Sequence, residues 1–191
     1  MTCDPERIKI HFPMTRSEAE RLKAGELLSL NGVVYTARDM AHQRLVALLE
    51  KGEELPFPLH DAAIYYTGPC PAAPGQVIGS AGPTTSSRMD AYTPILIQHG
   101  LRVMIGKGWR HPSVIEAMKQ YGAVYLGATG GAGALLARHV VRSDIVAWPD
   151  LGPEAVRRLE IDSFPAIVLI DCQGSNLYQT GREKYRRHSA K

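Results

Sequence analysis

The chain has 191 residues, of which 45% are hydrophobic and 21% are charged, and its formal net charge is +3. This composition is typical of one globular domain. The mild charge is spread along the chain, which argues against nucleic-acid binding, and no apolar run approaches the roughly 18 residues of a membrane helix. We expect a single domain over residues 1–191, with flexible ends at 1–6 and 180–191, that has neither nucleic acid nor membrane as a partner.

Cysteine usage indicates a reducing environment. The three cysteines stand at positions 3, 70 and 172, far apart and without a CxxC pair. This spacing predicts neither a zinc site nor a disulfide framework, and it fits a cytoplasmic protein. Cys70 lies in a Pro-rich loop, where it is either a reactive thiol or simply a small turn residue.

The predicted elements are mainly strands in the first third and alternate between strand and helix afterwards. Runs of apolar, β-prone residues predict strands at 8–12, 27–30, 33–35, 62–67, 77–80, 103–105, 123–126, 145–148, 164–170 and 176–178. Helical spacing and capping residues predict helices at 15–25, 39–50, 90–99, 111–121, 134–140 and 153–159. This order predicts an α/β fold with a mixed or parallel sheet core and a smaller β layer from the N-terminal third.

A tight turn is expected at Asn31-Gly32, which lies between two β-prone runs. Asn-Gly in this position is the strongest short-range hairpin signal, because both residues accept the positive φ of a type I′ turn. Residues 27–36 are therefore predicted to form a hairpin.

Arg38 is the first candidate for ligand binding. It stands directly before the predicted helix 39–50, whose N-cap is expected to be Asp39. The positive end of the helix dipole disfavours a cation there. Either an anion bound between Arg38 and the helix, or an ion pair with Asp39 or a nearby glutamate, would account for it.

Residues 79–90, called here the hydroxyl turn, form the second candidate. Two glycines, a proline, four consecutive hydroxyl residues and Arg88 stand between a predicted strand and a predicted helix. Backbone N–H groups at a helix N-terminus and the planar fork of Arg88 both suit an anion. The alternative is an N-capping turn with a surface arginine. Lys107, flanked by glycines after strand 103–105, either reaches across the end of that strand or is a hairpin lysine in solvent.

The Gly-rich turn at residues 127–133 separates a predicted strand from a predicted helix, as a dinucleotide-binding turn would. Its spacing does not fit GxGxxG, so nucleotide binding is a weak alternative. Close backbone packing or a carboxylate cradle accounts for the glycines equally well.

Four separated runs, in this order, resemble the class I fumarate hydratase family, which also contains L(+)-tartrate dehydratase. They are YTARDMAH at 35–42, GPTTSSRMD at 82–90, IGKG at 105–108 and GGAGALLA at 130–137. Two further runs, 150–155 and 162–166, fit as well. The resemblance covers about residues 13–178 and is to the β subunit of the two-subunit form, equivalent to the C-terminal domain of the single-chain form. It implies a swivelling β/β/α domain.

The resemblance also implies a chemistry, the reversible hydration of fumarate to malate. In this family a [4Fe–4S] cluster binds the substrate, and its cysteine ligands come from the α subunit, so no metal is expected on this chain. The implied partners are that α subunit and a C4-dicarboxylate. A hetero-oligomer with two copies of each subunit, or a homodimer of the chain alone, is compatible with this view. A tartrate dehydratase β subunit and a non-catalytic anion-binding swivelling domain are the alternatives.

Site residues follow from the matched motifs. By resemblance, Thr84 is the base that removes a proton from the carbon next to a carboxylate; in the alternative, it only hydrogen-bonds the substrate. Arg38 and Arg88 are expected to clamp carboxylates and Lys107 to add a point charge. Candidates for holding these groups in place are Thr85, Ser86 and His42. Each cation follows a strand, so all three are predicted to converge on one edge of the sheet.

Overall fold

The computed structural model describes residues 7–185. Its strands are β1 (Ile8–Phe12), β2 (Leu27–Thr36), β3 (Ala63–Tyr65), β4 (Val103–Gly106), β5 (Val124–Gly127), β6 (Val140–Ala147) and β7 (Val156–Ile170). Its α-helices are α1 (Arg16–Ala19), α2 (Asp39–Lys51), α3 (Thr93–Gln98), α4 (Pro112–Tyr121), α5 (Gly133–Ala137) and α6 (Leu177–Tyr185). Two short 3₁₀ segments occupy Ser86–Met89 and Pro149–Glu154.

All seven strands belong to one mixed sheet, in the order β1-β2-β3-β4-β5-β7-β6. Strands β2, β3, β4 and β5 are parallel neighbours, whereas β7 runs antiparallel to both β5 and β2. The β2–β7 pairing closes these five strands into a ring, so the sheet is a small barrel flanked by β1 and β6. The predicted mixed α/β fold is confirmed. The predicted separate N-terminal β layer is wrong, because β1 and β2 are part of the same sheet.

Two apolar clusters hold the barrel together. Alternate residues of the strands point to opposite faces: Tyr65 and Ile105 belong to the cluster inside the ring, whereas Ile64 and Met104 belong to the cluster under helices α2, α3 and α4. Because both faces of β3, β4 and β5 are covered, these strands are apolar throughout, as buried parallel strands usually are.

The hairpin predicted at Asn31-Gly32 is wrong. Strand β2 runs straight through both residues, because it pairs with β1 on one edge and with β7 on the other. Gly32 lies instead at an irregularity within β2. Its φ is +100°, and the register with β7 shifts between Leu30 and Gly32, which marks an irregularity in the ladder.

Several other boundaries differ from prediction. Residues 77–80 form no strand, and the helix predicted at 90–99 is confirmed only over α3, because residues 90–92 form a turn. Residues 156–159, predicted as helical, are the start of β7, because they pair with β6 and β2. The last predicted strand, 176–178, is instead the start of α6 apart from a single bridge between Asn176 and Ile170.

The parallel strands define the edge that matters for function. Strands β2, β3, β4 and β5 all end at the same rim of the barrel, here called the carboxyl edge. Segments that follow these strands lie at this edge, where ligand sites of open α/β sheets usually form. Flexible ends are predicted at 1–6 and 180–191; residues 1–6 and 186–191 lie outside the described residues, whereas residues 180–185 belong to α6. Within residues 7–185, none of the helices is long and apolar enough to cross a membrane.

Candidate functional site

The hydroxyl turn lies across the carboxyl edge, over the ends of β3 and β4. The Thr84 N–H donates to the Tyr66 carbonyl at 2.7 Å, directly after β3. Thr85 forms a parallel bridge with Lys107, and the Ser86 N–H donates to the Lys107 carbonyl at 2.9 Å. Residues 84–86 of the hydroxyl turn are thus anchored to the ends of two strands, directly before the 3₁₀ turn.

Thr84 and Thr85 present their side chains differently from Ser86. Thr84 is half-buried and Thr85 is exposed, whereas Ser86 is fully buried. The Thr84 hydroxyl makes no hydrogen bond within residues 7–185, so it is available to a ligand or to another chain. Its role as a base stays a prediction.

Lys107 follows β4 and lies against the Gly-rich turn. Its ammonium group forms no ion pair with the described residues, and a Cβ placed on Gly130 would lie 3.3 Å from Lys107 Cδ. Gly133 also touches the hydroxyl turn, since a Cβ there would lie 2.8 Å from the Gly82 nitrogen. Close packing therefore accounts for both glycines without a bound nucleotide.

Arg38 is the N-cap of α2, one position before the N-cap predicted at Asp39. Its Nη2 lies 3.4 Å from Glu154 Oε1, and Glu154 Oε2 accepts the Met40 N–H at 3.1 Å. The Glu154 carboxylate thus pairs with Arg38 and also accepts a hydrogen bond from the first turn of α2, so the ion pair that the sequence allowed is present, while anion binding by Arg38 stays a prediction. Arg38 Nε is buried and has no partner among the described residues, which leaves a donor for a second anion. Gly68, after β3, makes room for the guanidinium, because a Cβ there would lie 2.7 Å from Arg38 Nη1.

Arg88 is held by Asp39 through both sides of its fork. Arg88 Nε donates to Asp39 Oδ1 at 2.9 Å, and Nη2 lies 2.7 Å from Oδ2. Nη1 has no hydrogen-bond partner within the described range, and the side chain is 48% exposed. The expected helix N-terminus beside Arg88 is absent, since Ser86–Met89 is only one 3₁₀ turn and α3 begins at Thr93. Positive charge at this place comes from side chains.

The structure therefore places Arg38, Arg88 and Lys107 at one edge of the barrel. The strand-end argument accounts for Arg38 and Lys107, whereas the strand predicted before Arg88 is absent and Arg88 reaches the edge through its contact with Asp39. Asp39 and Glu154, the carboxylates that orient the two arginines, were not singled out from the sequence as site residues. The 150–155 run that matches the family motif was the available signal for Glu154. Substrate binding by the three cations stays a prediction.

His42 is completely buried behind Arg38. Its Nδ1 lies 2.9 Å from the Arg38 carbonyl, so Nδ1 carries the hydrogen, and Nε2 has no partner among the described residues. Burial lowers the pKa of His42 to about 4, helped by the charge of Arg110 and opposed by the Arg38 carbonyl and Asp39. The imidazole is neutral at pH 7 and fixes the backbone of Arg38.

Ser86 lies on the buried side of the loop after β4, which carries Lys107, and holds this loop through hydrogen bonds. Its hydroxyl accepts the Lys107 N–H at 3.1 Å and lies 2.8 Å from the Tyr125 hydroxyl. A Cβ on Gly106 would overlap Ser86 Oγ, so glycine is required for this close approach. Ser86 therefore supports the Lys107 loop, while Thr85 is exposed; that they hold catalytic groups in place stays a prediction.

The described residues offer no ligand set for a metal cluster. No group of three or more His, Cys, Asp or Glu side chains within residues 7–185 could hold a metal ion. Cys70 is exposed and Cys172 is buried, and both are free thiols.

A groove of about 350 Å³ lies beside the hydroxyl turn, between residues 76–80 and the segment from α5 to the start of β6. Neither Thr84 nor the three cations line it. The candidate site residues lie instead on an open rim, which resembles one wall of a site.

The barrel with its cation-rich carboxyl edge defines an α/β domain suited to an anionic ligand. Residues 2–181 match the family described as "Fumarase C-terminus". The chain belongs to this family, as the four motifs had indicated.

Curated relatives give the same family. Fumarate hydratase class I, anaerobic, of Escherichia coli K12 is 42% identical over 177 residues, covering 91% of this chain and 32% of that protein. The aerobic enzyme of the same strain is 38% identical with the same coverage. A Methanocaldococcus jannaschii protein, provisionally named L(+)-tartrate dehydratase subunit beta, is 40% identical and covered to 91% of its length. The chain thus spans about a third of the length of the fumarate hydratases it matches.

Proposed function

We propose that this chain is the β subunit of a two-subunit hydro-lyase that reversibly hydrates fumarate to L-malate. The observation that carries the proposal is the carboxyl edge itself, where three cationic side chains lie at the same rim as Thr84, whose hydroxyl has no hydrogen-bond partner among the described residues. The fumarate hydratases among its relatives extend this domain by about twice its length, which supports a partner chain supplying the rest of the site.

We further propose the remaining parts of this assembly. An α subunit would hold the [4Fe–4S] cluster, which when bound supplies a Lewis-acidic iron for the substrate's hydroxyl and one carboxylate. The chain would act as a swivelling β/β/α domain against that subunit, in the cytoplasm. The helices on one side of the closed sheet and the open rim support this arrangement.

The two arginines are suited to the carboxylates of a C4-dicarboxylate. Asp39 occupies two nitrogens of Arg88 and leaves Nη1, while Glu154 contacts one nitrogen of Arg38 and leaves Nε. Each guanidinium is thereby held in a fixed orientation, and each keeps one nitrogen donor that has no partner among the described residues. Such preorganised donors stabilise substrate and transition state without reorganising during the reaction.

Lys107 supplies the charge that no carboxylate of the described residues balances. Two arginines paired with two carboxylates are together neutral, so the local excess of positive charge comes from Lys107. A point charge at the end of β4, next to the bridge with Thr85, would favour the negative charge that develops on a substrate carboxylate when the neighbouring carbon loses its proton.

Thr84 is the proposed proton-abstracting residue. A threonine hydroxyl acts as a base only after losing its own proton, and nearby cations favour the alkoxide. No carboxylate or imidazole among residues 7–185 hydrogen-bonds Thr84 Oγ1. We therefore propose that the acceptor of the Thr84 proton comes from the partner subunit.

Reconstitution tests the proposal. The gene neighbouring this one, if it encodes a chain with three cysteine ligands, is co-expressed with it under anaerobic conditions. The complex is expected to hydrate fumarate and to bind iron, whereas the chain alone does neither. A brown, active preparation of the chain alone, or a cluster-loaded complex that leaves fumarate unchanged, would contradict it.

L(+)-tartrate dehydration is the second candidate, because the M. jannaschii relative that this chain covers almost completely carries that name. The same complex separates the two activities through the ratio of kcat/KM for fumarate and for L(+)-tartrate. A complex that binds either dicarboxylate but converts neither would indicate a non-catalytic anion-binding domain.

A further inference from the structure

The loop after β4 places a third arginine beneath the carboxyl edge. Arg110 stands three residues after Lys107, and its side chain is 0% exposed. It therefore cannot reach a ligand at the rim. Burying a guanidinium costs free energy unless its N–H groups are hydrogen-bonded and its charge is paired. The groups that contact Arg110 therefore indicate its role.

Polar contacts join Arg110 to the far end of the hydroxyl turn. Its Nε donates to Asp90 Oδ1 at 2.7 Å, and Asp90 Oδ2 accepts the N–H of His111 at 2.7 Å. Its Nη2 donates to Thr93 Oγ1 at 2.9 Å. Asp90 comes directly after the 3₁₀ turn that carries Arg88, so this ion pair ties the β4 loop to that turn.

Aromatic contacts join Arg110 to the other end of the hydroxyl turn. Its Cζ lies 5.3 Å from the ring centre of Tyr66 and 5.0 Å from that of Tyr125, within the range of cation–π attraction. Tyr125 reaches Ser86, which accepts the Lys107 N–H, and the carbonyl of Tyr66 accepts the Thr84 N–H. One buried side chain thus touches the supports of every segment that carries Thr84, Arg88 and Lys107.

We propose that Arg110 is a positioning residue that holds the hydroxyl turn and the Lys107 loop in fixed relation to each other. It acts through Asp90 and through the two tyrosines rather than on a ligand. Its kinetic consequence rests on the proposed hydratase function, but the positioning itself does not.

Arg102 provides a matched control at the other end of β4. It stands just before β4, whereas Arg110 follows it, and its side chain is 8% exposed. Its Nε donates to Asp61 Oδ1 at 2.9 Å, and its Nη1 donates to the Gly122 carbonyl at 3.0 Å. Both arginines are buried and carboxylate-paired, but Arg102 lies at the edge of the barrel opposite the site.

The experiment compares Arg110→Gln with Arg102→Gln by amide hydrogen exchange in the full chain. Exchange at Ser86 and Lys107 reports the contact between the two segments. Exchange at Val168 in β7, whose N–H donates to the Glu26 carbonyl at 2.9 Å, corrects for any loss of global stability. Relative to Val168, Arg110→Gln is expected to speed exchange at Ser86 and Lys107 by about 10-fold, since local opening follows the loss of charged hydrogen bonds. Arg102→Gln is expected to leave that ratio unchanged.

Kinetics of the reconstituted complex give the second measurement. Arg110→Gln is expected to lower kcat/KM by about 10², the scale of a small misplacement of catalytic groups, with KM also raised. Arg102→Gln should keep the wild-type constants per folded molecule. Arg110→Lys, which retains the charge and the link to Asp90, should recover part of the loss.

The outcomes separate this proposal from the proposed function. An unchanged exchange ratio in Arg110→Gln, or the same change in Arg102→Gln, overturns the positioning role. If Arg110→Gln does not fold, the exchange ratio in Asp90→Asn, which breaks the same ion pair from the other side, decides in the same way. If the wild-type complex fails to hydrate fumarate, the hydratase function falls, while the exchange comparison still decides the role of Arg110.

Discussion

Acid sensitivity from His42 is the prediction with the clearest physical basis. The buried imidazole has a pKa of about 4, against 6.5 for an unperturbed histidine. Between these values the unfolded chain takes up a proton that the folded chain refuses, so stability falls as pH drops from about 6.5 to about 4 and then levels off. The difference of about 2.5 units (6.5 minus about 4), at about 1.36 kcal/mol each, amounts to about 3 kcal/mol.

The test compares urea unfolding of the wild type and His42→Asn from pH 7 to pH 4. Asparagine retains a donor near the position of Nδ1, which serves the Arg38 carbonyl, but it does not titrate. The wild type should lose about 3 kcal/mol more than the variant over this range. The exposed His99, replaced in the same way, is the control and should leave the wild-type profile unchanged. Parallel profiles for the wild type and His42→Asn would refute the reasoning.

The remaining predictions concern the rim and its support. Thr84→Val in the reconstituted complex should lower kcat by about 10² with little change in KM; a large rise in KM at normal turnover would make Thr84 a binding residue. Arg88→Lys keeps the charge but loses the fork held by its carboxylate partner, so KM should rise together with a loss of rate; unchanged constants would remove Arg88 from the site. Gly106→Ala forces Ser86 aside and should cost about 2 kcal/mol in thermal or urea unfolding, whereas Gly82→Ala, with space for a methyl group, should cost far less.

Strand-end reasoning recovered much of the site, because it depends on local order alone. Arg38 and Lys107 directly follow apolar strands, and parallel strands end at one rim whatever the details of their packing. The role of Arg110 could not be predicted from the sequence, since its partners Tyr66 and Tyr125 come from other strands. Contacts between residues that are distant in sequence and meet only in the folded barrel produce no recognisable sequence pattern.

Local turn and helix signals failed where strands pair on both edges. Asn31-Gly32 would form a hairpin if its flanks paired with each other, but β1 and β7 occupy both edges of β2 instead. Residues 156–159 follow a proline-led segment that suggests a helix start, yet β6 and β2 draw them into β7. In both cases distant partners outweighed the local preference, as β-propensity commonly allows.

Because the β2–β7 pairing closes the ring, the barrel cannot be completed until β7 has been synthesised. Tyr35 of β2 pairs with Arg158 of β7, 123 positions further along (158 − 35). At a translation rate of roughly 5–20 residues per second, β2 waits roughly 10 s for its partner. During that interval one edge of β2 has only water or another chain to bond with, which favours misassembly. A nascent chain that stalls before residue 156 therefore exposes the unpaired edge of β2. A chaperone that covers this edge until β7 has been synthesised would prevent misassembly.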